Sequence, residues 1–522
     1  MAFFVASLFE KAFHFRRKMV LFVCNFFVFE KILPYIFMKQ LISCNLSCIM
    51  TMYDNTQTFI DEGMIMALTF RGGVHVAEHK HTAGCTIEPF EAPELIYLPM
   101  QQHIGASAKP VVAVGDKVLC GQVIGVMEQG LGAPIHASVS GTVEAIKSVN
   151  DAQGRAIQTV VIRNDFENTL SPEIKPFTGD VTVDTLAEVV KNAGIAGLGG
   201  ATFPTHVKIA SAKGKAEHII INCAECEPYI TANHRLMLEC PKAIIAGLMI
   251  LLDAYGIDDG ILAVEDNKPD AIQILTELTK DMPRIKVRVL KTKYPQGDER
   301  QLICALFGKE LPAGKLPADL GCVIFNAETC SAIYAAVASG MPLVRRVVTV
   351  DGDCVANPKN LLVPLGTPFS ALLAHCGLKP NKTLRKVVSG GPMMGQAQYD
   401  IDTPVVKGTA AILALSKDVD RIESSYSQCI RCGRCLAHCP MHLPPLYMMK
   451  YAKAEDFAEA EAYGAMSCVE CGSCSYICPA SVPILQYIRI AKQKIGDERR
   501  RKAAAQKAAE EAKAKEKEVI KQ

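Results

Sequence analysis

The spacing of apolar and polar positions changes several times along the chain, and each change predicts a different kind of structure. From Phe70 to about residue 175, short apolar runs are cut by turn residues. Residues 110–125 hold two such runs around Gly115-Asp116 and Cys120-Gly121, and residues 135–146 repeat the pattern. Runs of this length between turns predict short strands. From Val183 to about residue 339 the signal alternates. Helices are expected over 185–192, 242–254, 270–280, 301–307 and 329–338, and strands over 218–222, 260–264, 286–290 and 322–326. Pro241 stands where a helix begins. Strand and helix in turn predict a doubly wound α/β domain with a mostly parallel sheet, whose ligands sit at the carboxyl ends of its strands. Residues 344–378 read as a small α+β piece, with a strand over 347–350 that ends at Asp351-Gly352 and a helix over 368–376. Residues 386–407 are rich in Gly and Pro, and the Met393-Met394 pair there reads as pliable packing. Residues 453–464, rich in Ala and Glu, predict a helical spacer. Residues 497–522 are nearly all Ala, Lys, Glu, Arg and Gln, and predict a solvated helix or a disordered tail.

These changes divide the chain into expected units: 1–66, 67–177 (a β domain), 178–343 (the α/β domain), 344–415, 416–492 and a charged tail over 493–522. At 522 residues there is room for several domains with sizeable cores. The apolar run from Met19 to Phe29 is stopped by Glu30-Lys31, short of the ~20 residues a membrane helix needs. No small-residue cleavage site follows it. Residues 1–66 are therefore expected to be an over-extended start or a disordered leader. A membrane-surface anchor is the alternative, because Phe and Leu alternate there with Arg16, Arg17 and Lys18. The formal net charge of +2 gives no argument for nucleic acid.

Cysteine spacing carries the most specific chemistry. Cys429, Cys432, Cys435 and Cys439 read C-x2-C-x2-C-x3-C with Pro440 next, and Cys468, Cys471, Cys474 and Cys478 repeat this with Pro479 next. The duplicated spacing is that of bacterial ferredoxins with two [4Fe-4S] clusters, in which the fourth cysteine of each run ligates the other cluster. The expected groups are Cys429, Cys432 and Cys435 with Cys478, and Cys468, Cys471 and Cys474 with Cys439. Gly433 and Gly472 lie inside the tight loops, where sulfur and backbone amide must both face a cluster. Zinc sites commonly take two ligands per segment and need no trailing Cys-Pro, so they fit less well. Of the remaining thirteen of the 21 cysteines, Cys223 and Cys226 are spaced C-x2-C but no second pair lies near, and the others are scattered, which suits buried thiols in a reducing compartment better than a metal site.

The α/β segment carries four loops of interest. In 194–208, Gly194, Gly197, Gly199 and Gly200 precede Thr202 and Lys208. Clustered glycines let backbone amides approach a phosphate, and a lysine can neutralise it, although a tight turn without ligand looks the same. A helix rather than a strand precedes this loop, so it is not the dinucleotide G-x-G-x-x-G. Asn222, Cys223, Ala224, Glu225, Cys226 and Glu227 follow an apolar strand directly. Two acids at a strand end read either as ligand contacts or as caps of the next helix. Tyr294-Pro-Gln-Gly297-Asp298-Glu299 and Asn326-Ala-Glu-Thr329 end two more strands in polar groups.

The loops 197–205, 222–228 and 326–329 resemble three loops of the NADH-binding flavoprotein subunit of respiratory complex I. Two positions depart, Leu198 standing where that subunit has Arg and Ala224 where it has Asp. Further motifs are Phe70-Arg-Gly-Gly-Val-His75, Gln102-His-Ile-Gly105, Glu225-Cys-Glu-Pro-Tyr-Ile-Thr231, Tyr294-Pro-Gln-Gly297 and the two cysteine runs. With them, the chain resembles the C subunits of Rnf (Rsx) ion-translocating electron transport complexes from about Leu68 to Lys492. The resemblance implies an N-terminal barrel-sandwich domain like biotinyl and lipoyl carriers, a Rossmann-like FMN/NADH domain, a β-grasp (SLBB-type) domain and a two-cluster ferredoxin-like domain. The turn over 134–141 has no lysine, so a structural barrel rather than a swinging arm is expected. The resemblance further implies two [4Fe-4S] clusters, FMN, NAD(H) as substrate, ferredoxin as an indirect partner and other subunits of a membrane complex. It places the chain peripherally, on the cytoplasmic side of the cell inner membrane. The cofactor contacts it implies are Gly197, Gly199, Gly200, Thr202, Lys208, Asn222, Glu225, Glu227, Glu299 and Asn326. Of these, Gly199, Gly200 and Lys208 are expected at the FMN phosphate, and Asn222, Glu225 and Glu227 at the flavin or the nicotinamide ribose. Asn233-His234 stand where acidic residues are expected. A stand-alone flavin/iron–sulfur NADH dehydrogenase and a flavin-less two-cluster adaptor are the alternatives.

Overall fold

The computed structural model describes residues 68–151, 154–419 and 428–521, with side chains to residue 506. The leader expected over 1–66 lies outside the described residues. Residues 95–164 form two facing sheets. Leu95–Pro99, Ala156–Asn164, Gly141–Asn150 and Lys117–Val118 make one, and Lys109–Pro110, Val123–Val126 and Ile135–His136 the other. Alternating side chains from both meet between them: Ile96, Leu98, Ile124, Ile135, Val143, Val160 and Ile162 are all buried. The 134–141 turn packs inward. His136, Ser138 and Ser140 are buried, and the Ser138 hydroxyl donates to the Leu365 carbonyl at 2.5 Å. This barrel therefore presents no arm.

The α/β unit has a four-stranded parallel sheet in the order Ile285–Leu290, Gly260–Glu265, His218–Asn222, Cys322–Asn326. Both faces are covered, so the strands are near-continuous apolar runs. Helices Pro241–Tyr255 and Ala327–Ser339 cross closely because Gly247 has no side chain. A Cβ there would lie 2.1 Å from the Cys330 carbonyl oxygen. Leu68 extends the sheet edge by a parallel bridge to Leu290.

A six-stranded mixed sheet follows, ordered Ile87–Pro89, Lys359–Pro364, Arg345–Asp351, Ala411–Ser416, Leu384–Ser389, Gln396–Gln398. Its first strand comes from the N-terminal segment. Residues 68–90 therefore lie outside the barrel and pack on the two later domains.

The C-terminal unit is helical around its cysteines. The single spacer helix expected over 453–464 is corrected to two helices, Pro445–Lys453 and Phe457–Ala462. Between them Glu455 takes φ 58, and Asp456 starts the second helix by accepting from the Glu459 amide at 3.1 Å. The tail is one helix, Ile484–Lys521. Among the described residues no helix is long and apolar enough to cross a membrane.

Candidate cofactor sites

Strand order in the α/β sheet reverses between His218–Asn222 and Cys322–Asn326. A crevice opens at the carboxyl ends of strands where the order reverses. Asn222 and Asn326 are register partners there and end the two strands side by side. The Gly197–Thr205 loop passes over Asn326, and a Cβ on Gly199 would lie 3.5 Å from the Asn326 Cβ. Leu198 anchors the loop: its side chain is buried, its amide donates to Thr329 Oγ1 at 2.9 Å, and its carbonyl accepts from Arg346. Gly199 and Gly200 stay exposed, and a Cβ on Gly200 would meet nothing within 4 Å. Thr202 sits at φ 50, and its carbonyl accepts from the Ile104 amide of the barrel. On the other rim, Asn222 Nδ2 donates to the Gly297 carbonyl at 2.8 Å.

Several side chains expected to face a ligand are bonded within the protein. Glu225 accepts from the amides of Asn233 (2.8 Å) and His234 (3.1 Å), at the start of helix Ala232–Glu239. Glu227 accepts from the amides of Met393 (3.1 Å) and Met394 (2.8 Å) in the β-grasp domain. Burial pushes the Glu227 carboxyl up to about 7. Both acids, expected at the flavin or ribose, are bonded to backbone amides here. Buried carboxylates need donors, and backbone amides supply them here. Glu225 takes the capping role, and Glu227 fastens two domains together. Lys208 and Glu299 form an ion pair, and Lys208 also donates to the Ile324 carbonyl at 2.9 Å. Asn326 Oδ1 accepts from the amides of Glu328 and Thr329 and caps their helix.

The residues lining the crevice fit a flavin nucleotide. Backbone is exposed at Gly199 and Gly200, a Cβ on Gly200 would meet nothing, and a lysine stands on the next helix. Three residues holding the crevice together escaped sequence reasoning. Lys80 is half-buried and donates to the carbonyls of Glu225, Glu227 and Ile230 at 2.8, 2.8 and 2.6 Å, gripping the loop after strand His218–Asn222. Arg346 pairs with Glu328 at 2.8 Å, both buried. Lys407 donates to the Pro134 and Gly194 carbonyls, joining β-grasp, barrel and α/β domains. An isolated Lys or Arg gives no sequence signal of such contacts.

The eight cysteines form two cavities. Cys429, Cys432, Cys435 and Cys478 line one, and Cys439, Cys468, Cys471 and Cys474 line the other. Each cavity thus takes three cysteines from one run and the fourth from the other. The sulfurs surround a volume; among the described residues no three His, Cys, Asp or Glu side chains converge on a single-ion site. That spacing suits a polynuclear cluster better than a lone zinc.

The two loops share one backbone. Arg431 and Glu470 take φ 56 and 57, and Gly433 and Gly472 take φ 74 and 78. The amides of Arg431, Glu470 and Leu443 point at the sulfurs of Cys429, Cys468 and Cys439, each at 3.4 Å. Such donors favour thiolate. Burial and neighbouring sulfurs push the Cys468 thiol up to about 11, and Cys474 higher still. Bound cations favour thiolate at such a site, and iron would supply them.

The two cavities differ in setting. Cys439, Cys471 and Cys474 are buried, whereas Cys429 and Cys432 are exposed. The inner cavity abuts the α/β domain. Tyr294, itself buried, donates its hydroxyl to the Cys471 carbonyl at 2.7 Å, and Gly73 donates its amide to the His438 carbonyl at 2.9 Å. Gly72 takes φ 74, and a Cβ there would lie 2.7 Å from the Cys439 carbonyl oxygen. The Phe70–His75 and Tyr294–Gly297 motifs thus meet at the wall between crevice and inner cavity. Val74, Tyr294 and Cys471 pack with Cys226, Met393 and Val469.

Family models match these units in the same order. An RnfC barrel sandwich hybrid domain covers residues 68–167, a Nuo51 FMN-binding domain 190–335, an SLBB domain 347–397 and a 4Fe-4S dicluster domain 421–479. FMN and two [4Fe-4S] clusters are the cofactors these domains imply, and the crevice and cavities fit them. The chain is 43% identical over 402 residues to the C subunit of the Na(+)-translocating ferredoxin:NAD(+) oxidoreductase complex of Acetobacterium woodii, covering 76% of this chain and 90% of that protein. It is 42% identical to the C subunit of the proton-translocating ferredoxin:NAD(+) oxidoreductase complex of Clostridium ljungdahlii, over 76% of this chain and 87% of the relative. It is 41% identical to the C subunit of the ion-translocating oxidoreductase complex of Rhodobacter capsulatus, over 77% of this chain and 78% of the relative. With four domain matches in register and this identity over most of its length, the chain belongs to the family of C subunits of Rnf-type ion-translocating oxidoreductase complexes.

Proposed function

We propose that this chain is the peripheral electron-transfer subunit of a membrane-bound Rnf-type complex, exchanging electrons between NAD(H) and ferredoxin on the cytoplasmic side of the cell inner membrane. Ion translocation then belongs to partner subunits that span the membrane. The reading is supported most by one observation: the inner four-cysteine cavity is walled by the same Tyr294–Gly297 segment that rims the nucleotide crevice. Two cysteines of the outer cavity, Cys429 and Cys432, are exposed. A nucleotide site, an inner carrier and an outer carrier thus stand in series.

FMN in the crevice supplies exchange between two-electron and one-electron chemistry, and the clusters supply single-electron carriage. The chain's residues place and tune them. The backbone of Gly197, Gly199, Gly200 and Thr202 would hold the FMN phosphate, with Lys208 balancing its charge in exchange for Glu299. Asn222 and Asn326 would line the floor. Glu225, Glu227 and Lys80 keep the rim in place from behind. Cys429, Cys432, Cys435 and Cys478 would ligate the outer cluster, and Cys439, Cys468, Cys471 and Cys474 the inner.

The test is anaerobic purification of the full chain, with iron, sulfide and flavin assayed before NADH is added. The expected result is bound FMN whose absorbance bleaches with NADH. Iron and sulfide without flavin, and no response to NADH, would overturn the proposal in favour of a two-cluster adaptor.

A further inference from the structure

The two cysteine repeats share a backbone, but their surroundings differ. In the inner repeat the loop face is covered. Val469 packs with Val74 and Tyr294, the Cys471 carbonyl takes the Tyr294 hydroxyl, and a Cβ on Gly472 would lie 3.1 Å from the Met393 carbonyl oxygen. Ser473 is fully buried. The charge of Glu470 is matched by Arg489 at 3.1 Å and Lys492 at 2.5 Å.

Among the described residues, none packs over the equivalent face of the outer repeat as Val74 and Tyr294 do over the inner. Ile430 stands at the Val469 position and is 64% exposed, and Leu436 is 53% exposed. Cys429, Cys432 and Gly433 are exposed. Arg431 replaces Glu470 and Arg434 replaces Ser473. Both are exposed, and among the described residues neither forms an ion pair. No Asp or Glu occurs between Gln428 and Pro440. The face therefore combines two aliphatic side chains with two guanidinium groups that no described carboxylate answers, beside the more exposed cavity.

We infer that Ile430, Arg431, Arg434 and Leu436 form the docking surface for a protein electron carrier that presents an acidic rim around its own redox centre. The inference rests on the electron-transfer reading above. An electron leaving the outer cavity needs an acceptor held against it, which a lipid surface does not provide. A protein seated here would cover the apolar pair and answer the arginines, as the α/β and β-grasp domains cover the inner repeat. Complementary charge also speeds encounter and makes it sensitive to salt.

The test uses the full chain with both clusters, rebound to source-cell membranes from which only this chain has been deleted. Wild-type binding is expected to weaken as salt rises from about 50 to about 300 mM. Arg431→Glu/Arg434→Glu is expected to bind at least tenfold more weakly with both cluster EPR signals retained; Glu470 shows that this backbone accepts Glu. Leu436→Asp is an independent variant should the double change disturb a cluster, and the same weakening is expected. Binding of both variants at wild-type strength would overturn the inference. So would equal wild-type binding to protein-free anionic vesicles, or a dimer of this chain that the variants dissociate. Failure of the wild-type chain to bind these membranes at all would instead overturn the electron-transfer reading, and the docking surface with it.

Discussion

At the scale of single residues, Glu225, Glu227 and Lys80 hold the loops around the crevice through bonds to backbone. Glu227 is the clearest case. Its carboxyl, pushed up to about 7 by burial, favours the neutral form in the folded chain relative to an unfolded value near 4.5. The folded state then binds more protons between those values, so this group's contribution is full below about 4.5 and is lost as pH rises through 7. Glu227→Gln is expected to remove about 1–2 kcal/mol of that pH dependence, after allowance for the residue's partly solvent-facing position. Anaerobic urea unfolding at intervals across the window measures it, and an unchanged slope would contradict the assignment. Tyr294→Phe deletes the hydroxyl bound to the Cys471 carbonyl and leaves that buried acceptor short of a donor. A loss of about 1–2 kcal/mol is expected in the same assay, with iron content unchanged. None of these partners was legible in the sequence. Glu227 finds its donors in the Met393-Met394 pair of another domain, and Lys80 bonds only carbonyls, which every residue has.

At the scale of elements, legibility followed how local the cause is. The strands of the α/β sheet are apolar runs and most helices around them are periodic, so these were visible; the short helices Thr205–Ser211 and Ala232–Glu239 were not expected. The cysteine loops were visible because spacing alone sets how three sulfurs curl around one volume. The helix break at Glu455-Asp456 was missed, because Ala and Glu on both sides favour helix and only the Asp456 cap marks the restart. The Ile87–Pro89 strand was missed because its partner, Lys359–Pro364, is remote in sequence. The crossed grouping of cysteines makes an element-level prediction. Cys478→Ser is expected to damage the cluster held by the Cys429 run, and Cys439→Ser the one held by the Cys468 run. EPR of the reduced variants distinguishes them. Loss of the cluster belonging to the mutated residue's own run would contradict the crossing.

At the scale of the whole molecule, a few buried polar side chains join the domains. Lys407 bonds the barrel and the α/β unit from the β-grasp domain through carbonyls alone, and burial pushes it down to about 7. Its stabilising contribution is present above the unfolded value of about 10.5 and is lost as pH falls through 7. Lys407→Met should flatten the rise in stability between pH 7 and 9, and cost about 1–3 kcal/mol at pH 9 through the two carbonyls left unbonded. Thermal unfolding followed separately by flavin and by cluster absorbance would measure it. A variant with the wild-type slope would show that the lysine does not couple the domains.

The order of carriers is the central claim, and electron arrival at the outer cluster tests it most directly. The full chain and its Cys471→Ser variant are mixed with NADH anaerobically and frozen at intervals for EPR. The wild-type chain should show the inner cluster reduced no later than the outer. The variant should still bleach its flavin while the outer cluster stays oxidised. Reduction of the outer cluster at the wild-type rate in that variant would contradict the series arrangement.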